Sequence, residues 1–130
     1  MTGQTSCCCS GTKKKTVLLY ACSGGANVAE MSDRAARQLM REGAGSMFCL
    51  AGLGADLPNM VQQAKDADLN LVIDGCPIDC ARKIFERHGL KNVQYVRITD
   101  LGIEKKKGVP VTEAEVAKVV AKCREVLATI

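Results

Sequence analysis

Tryptophan is absent from the chain, and two Tyr with two Phe make up an aromatic share of only 3%. Base-stacking platforms are therefore scarce, and nucleic acid is not an expected partner. The core must be built from Val, Leu, Ile, Met and Ala. One histidine and no serine motif leave a Ser-His-Asp hydrolase without visible parts. No stretch approaches the ~18–20 apolar residues of a membrane span, and Met1 to Lys15 contain no apolar leader core. A cytoplasmic protein that does not enter membranes is expected. A phosphate-binding GxxxxGK[ST] loop is also missing, and Gly52-Leu53-Gly54 lacks the third glycine and acidic partner of a dinucleotide fingerprint. No arginine follows Cys22 at the loop-to-helix position where a cysteine phosphatase would grip phosphate.

What is present reads as one ordinary globular domain: 130 residues, 47% hydrophobic and 25% charged. The formal charge is +4, yet six positive charges sit in two short runs, Lys13-Lys14-Lys15 and Lys105-Lys106-Lys107, and taking those away leaves −2. Both runs read as solvated loops rather than as a basic face for nucleic acid. Eight Cys in 130 residues lie below the ~8–10% that marks a disulfide scaffold. In a reducing compartment these thiols point instead to metal or redox chemistry.

Residues 1–15 show neither helical nor strand periodicity and are expected to form a tail, with residues 16–130 as a single α/β domain. Thr16 to Ala21 reads as a first strand ending at the turn signal Cys22-Ser23-Gly24-Gly25. Val28, Met31, Ala35 and Leu39 then recur at helical spacing, with Asn27 and Glu30 as an expected capping box and Gly43 as the stop. Ser46 to Ala51 reads as a second strand and Gly52 to Asp56 as a loop. A short helix follows Asp56, with Pro58 in its first turn and Leu57, Met60, Val61 and Ala64 on one side. Leu69 to Asp74 is a third strand, followed by a helix carrying Ile78, Ala81, Ile84 and Phe85 that stops at Gly89. Val93 to Ile98 is a fourth strand, and Thr99 to Pro110 a polar loop. Thr112 with Glu115 caps a last helix that buries Val116, Val119, Val120, Cys123 and Leu127.

Short apolar strands alternating with helices imply right-handed crossovers and a parallel sheet covered on both faces. The expectation is a three-layer α/β/α sandwich with a four-stranded parallel sheet in the order 2-1-3-4. In such a fold ligands bind beyond the carboxyl ends of the strands. Cys22 follows the first strand, Cys49 lies late in the second, and Cys76 follows the third, so three thiols share one edge of the sheet. Cys80, four residues after Cys76 in the first turn of its helix, can turn back toward them. Zinc takes four thiolates tetrahedrally at about 2.3 Å, which makes Cys22, Cys49, Cys76 and Cys80 a candidate closed site. Ser23, Asp74 and Asp79 are the candidate groups for fixing the ligand geometry. Two other readings stay open: a thiol-disulfide or sulfur-transfer protein in which Cys76 and Cys80 act as nucleophile and resolving thiol, and an iron–sulfur cluster on the same cysteines.

The run Asp74-Gly75-Cys76-Pro77-Ile78-Asp79-Cys80-Ala81, with Tyr20-Ala21-Cys22-Ser23-Gly24 and Cys49-Leu50-Ala51-Gly52 before it, resembles the DGC domain family, named for its Asp-Gly-Cys motif. The resemblance runs from about Thr16 to the last helix. It implies zinc binding by four shared cysteines, which fall on Cys22, Cys49, Cys76 and Cys80, and implies no particular reaction.

The remaining chemistry-bearing residues are read more plainly. Cys7-Cys8-Cys9 sits in the tail, outside the motif, and Cys123 on an apolar helix face belongs to the core. His88 beside Gly89 is read as a cation at a helix C-terminus rather than a ligand. Gly24-Gly25-Ala26-Asn27 offers a weak anion cradle. Asp100 and the Lys105 to Lys107 run follow the fourth strand and so lie on the thiol edge.

Overall fold

The structure, a computed structural model, describes residues 15–129. The expected tail falls almost wholly outside the described residues, as do Cys7, Cys8 and Cys9. The strands are β1 (Val17–Ala21), β2 (Ser46–Met47), β3 (Leu69–Asp74) and β4 (Val93–Arg97). The helices are α1 (Asn27–Arg41), α2 (Leu50–Gly54), α3 (Pro58–Asp66), α4 (Cys80–Arg87) and α5 (Glu113–Ala128). All strand pairs are parallel and the sheet order is β2-β1-β3-β4, the 2-1-3-4 order expected from crossover rules.

Alternation along the strands sorts the core into two layers. Leu19, Leu71 and Ile73 face α1 and α5, where they meet Met31, Leu39, Val116, Val119 and the buried Cys123. Leu18, Tyr20 and Val72 face the other way, toward Leu53, Ala64, Ala81 and Phe85 of α2, α3 and α4. The few aromatics are concentrated in this second layer: the Tyr20 ring meets Phe85 edge-on at 4.7 Å and Phe48 at 5.9 Å. The Tyr20 hydroxyl donates to Asn70 Oδ1 at 3.0 Å, and the Asn70 amide donates on to the Ala64 carbonyl at 2.9 Å, so this buried polar pair is satisfied.

Several local expectations are corrected. The second strand ends at Met47, not Ala51, and Leu50–Gly54, expected to be divided between that strand and a loop, forms α2 instead. Leu50 and Leu53 are spaced three apart, and one helical turn lets Leu53 reach the core, while a Cβ on Gly52 would run into the Met60 sulfur. Asn27 does not cap α1: the cap position is Ala26, and the Asn27 side chain is used elsewhere. Ile78 precedes α4 and is exposed, and β4 gives way at Ile98 to a 3-10 turn through Leu101. The Thr112 and Glu115 capping box is present with both of its hydrogen bonds.

Candidate functional site

Strands β1 and β3 are adjacent and parallel, so the connections leaving their carboxyl ends lie side by side. Cys22 is the first residue beyond β1; its N–H donates to the Ile73 carbonyl at 3.1 Å and extends the ladder by one rung. Its sulfur accepts the Gly75 N–H at 3.2 Å and stands 3.5 Å from the Ser32 hydroxyl on α1. Ser32 Oγ also lies within hydrogen-bonding distance of the Ala29 and Cys22 carbonyls, which locks it in place. Burial pushes the Cys22 thiol above its ordinary pKa, the Ser32 hydroxyl and Gly75 N–H pull it back, and the charges of Asp74 and Cys76 add to the rise.

The β3–α4 turn brings the next two thiols. Gly75 is required by close approach: a Cβ there would meet Val28 Cγ2 at 2.8 Å and the Val28 carbonyl carbon at 3.0 Å. Asp74, only 4% exposed, accepts the N–H groups of Ala81 at 3.0 Å and Arg82 at 2.9 Å, satisfying two free donors at the start of α4. Its pKa is raised by burial, and those two N–H donors oppose the rise. Asp79 adopts a left-handed backbone, φ 56°, unusual for a residue with a side chain. Its carboxylate is gripped by the Arg97 guanidinium at the end of β4, Nε to Oδ1 at 2.9 Å and Nη2 to Oδ2 at 2.5 Å, which holds it below the usual carboxylate range. Cys80 therefore lies between two anchored positions, Asp79 and Ala81. Cys76, at the head of the turn, has the Lys105 ammonium 3.5 Å from its sulfur.

Cys22, Cys76 and Cys80 line a single cleft of about 200 Å³, together with Ser23, Asp74 and Asp79. Cys49 is not among its lining residues; it is the exposed cap residue of α2, displaced from the expected strand end because β2 stops early. Among the described residues no three Cys, His, Asp or Glu side chains stand close enough, as they lie, to hold a metal ion. The donor set is nonetheless of the kind zinc takes: soft sulfurs, each of two supported by a hydrogen-bond donor, beside carboxylates already committed to orienting the turn. His88 is remote from this cleft, with Nε2 2.8 Å from the Leu53 carbonyl. Cys123 is fully buried, and burial pushes its thiol up to about 12.

Sequence reasoning missed the part that three residues play in shaping the cleft. Ser32 takes the sulfur contact expected of Ser23, and its place on the inner face of α1 was the available signal. Arg97 ends the fourth strand and was visible only as a strand residue. Asn27 donates to the Glu104 carbonyl at 3.0 Å and accepts the Lys106 N–H at 2.7 Å, fastening the segment 103–108 across the start of α1. That segment delivers Lys105, along with Lys107, to the cleft wall.

A family model described as the DGC domain matches residues 18–123. The chain is also 35% identical over 91 residues to the anaerobic and virulence modulator AnvM of Pseudomonas aeruginosa, a match covering 70% of each protein. No solved structure matches the chain.

Proposed function

The chain belongs to the DGC domain family, and from that premise we propose that it binds one zinc ion through cysteine thiolates at the carboxyl rim of the sheet. Cys22, Cys76 and Cys80 would hold the ion from the cleft, with Cys49 as the fourth ligand. The observation that carries this reading is the meeting of three thiols, from two connections 54 residues apart in the chain at Cys22 and Cys76, in one cleft of about 200 Å³.

Each neighbouring group has a part in that reading. The Gly75 N–H and the Ser32 hydroxyl favour an anionic sulfur on Cys22, and the Lys105 ammonium stands beside the Cys76 sulfur. Asp74 and Asp79 fix the start of α4 and with it Cys80. The N-terminal ends of α1 and α4 offset the negative charge that several thiolates bring together. Zinc, when bound, supplies a closed thiolate centre that ties the β1 and β3 connections to each other. The Pseudomonas relative is named a modulator; modulation by metal occupancy is the role we assign to this chain.

The test is elemental analysis of full-length protein purified without chelator, with thiols counted after denaturation. One zinc per chain is expected, lost when Cys22 is replaced by Ser. Metal-free protein with a Cys76–Cys80 disulfide that survives Cys22→Ser would replace this reading with thiol-disulfide or sulfur-transfer chemistry. A brown protein carrying iron and sulfide would replace zinc with a cluster.

A further inference from the structure

The segment 103–108 after β4 lies antiparallel to residues 25–27. Ala26 pairs with Lys107, the Asn27 N–H donates to the Lys106 carbonyl at 2.8 Å, and the Gly108 N–H donates to the Gly25 carbonyl at 3.2 Å. Extended backbone sends successive side chains to opposite sides. The three consecutive lysines are divided accordingly: Lys105 and Lys107 line the thiol cleft, while the Lys106 ammonium pairs with Glu104 at 3.6 Å. Among the described residues neither Lys105 nor Lys107 is paired with a carboxylate.

The cleft's own acids do not balance these two cations. Asp79 is neutralised by Arg97, and Asp74 directs both oxygens at the N–H groups of Ala81 and Arg82. Lys105 and Lys107 thus face a cavity of about 200 Å³ in which both carboxylates are already held by other donors. Its lining also includes the three cysteines, Gly24, Gly25 and Val28. We propose that this cleft receives a small anion, a carboxylate-bearing molecule, and that Lys105 and Lys107 are the residues that recognise it and bring it against Cys76. This goes beyond the metal reading, because it concerns what the wall admits rather than what the thiols hold.

Two alkylating reagents of nearly equal size test it. Iodoacetate and iodoacetamide both form a sulfur–carbon bond with the same thiolate and release iodide, and they differ by one negative charge. Any change in the fraction of thiolate therefore cancels in the ratio of their rates. The full-length chain is labelled in low salt with a chelator present, so that the thiols are free whether or not a metal site exists, and each cysteine is followed by peptide mass spectrometry. At Cys76 the iodoacetate-to-iodoacetamide ratio should exceed that at the exposed Cys49 by about ten-fold. It should fall to the Cys49 value in Lys105→Met/Lys107→Met, and in the unaltered protein at ~0.5 M salt, while Lys106→Met leaves it unchanged. Equal ratios at Cys76 and Cys49, a raised ratio that survives the double replacement, or a Cys76 that reacts with neither reagent would overturn the proposal. None of these outcomes depends on the zinc content.

Discussion

At the amino rim of the sheet a hollow of about 550 Å³ is lined by Val17, Ala44, Leu69, Leu127 and Ala128, with Lys15, Asp68 and Arg124. At the carboxyl rim the cleft is less than half that size, about 200 Å³, yet it gathers three thiols, two lysines and two carboxylates. Volume and chemistry are separated by the whole length of the sheet. The reason lies in chain direction: α1 and α4 begin at the carboxyl rim, where their first N–H groups need acceptors and the connections must lock together. Polar groups there close a connection on itself, as Asp74 does with Ala81, or tie it to another, as Asp79 is tied to Arg97 and Asn27 to Lys106. At the amino rim, beside the buried ties that Asn70 and Asn92 make to the Ala64 and Ala67 carbonyls, the charged groups form exposed pairs such as Arg124 with Glu42. A residue of one type should therefore matter differently at the two ends.

The widest gap is expected between two aspartates. Asp74→Ala leaves the N–H groups of Ala81 and Arg82 without their acceptor at a buried helix start, and should cost about 3 kcal/mol in urea unfolding. Asp68→Ala removes one exposed acceptor from the Thr16 N–H and should cost about 0.5 kcal/mol or less. Equal losses would mean that the carboxyl rim is no more tightly built than the other.

Glycines sharpen the contrast within the carboxyl rim itself. Gly75→Ala drives a methyl group into Val28, where backbone as well as side chain would have to move, and about 2 kcal/mol of stability should go with it. Slower alkylation of Cys22 should accompany the loss, since moving Gly75 takes from that sulfur an N–H that favours its anionic form. Gly25→Ala meets open space and should stay within about 0.5 kcal/mol of the parent by thermal unfolding. A large effect at Gly25 would shift importance from the β3–α4 turn to the strap that pairs with it.

Particular residues explain how far the sequence could be read. Leu69–Asp74 is an unbroken apolar run bounded by Gly75, and the Thr112 and Glu115 box is a local signal, so both were legible. The order of the strands followed from the need for helices to cover both faces of the sheet, and the shared strand direction put Cys22 and Cys76 on one rim. The run from Ser46 to Ala51 was not legible, because a short apolar stretch fits either period and Leu53, the residue that decides it, lies among glycines. Asn27 looks like a cap in isolation; its partners Glu104 and Lys106 are 77 and 79 residues away. The division of Lys105 and Lys107 from Lys106 needs only alternation, but nothing local says that this segment is extended. Ala26 and Asn27 impose that by pairing with it.

The smallest expected effect belongs to the amino rim and carries a definite sign with pH. Glu42 accepts from Arg124 and from Gln38, and these donors hold its carboxyl below the usual range. A carboxylate whose folded pKa is depressed stabilises the folded chain above the unfolded pKa, and that contribution is lost as the pH falls through the folded value. Replacing Glu42 by Gln should therefore lower the melting temperature slightly near neutral pH and make no difference once the pH is below both values. Because the pair is exposed, ~0.5 M salt should erase the neutral-pH difference as well. Melting curves of the two proteins across that range decide it. A difference that persists in salt would show that this end of the sheet is tied together more firmly than its solvent-facing pairs imply, and the contrast between the rims would narrow by that amount.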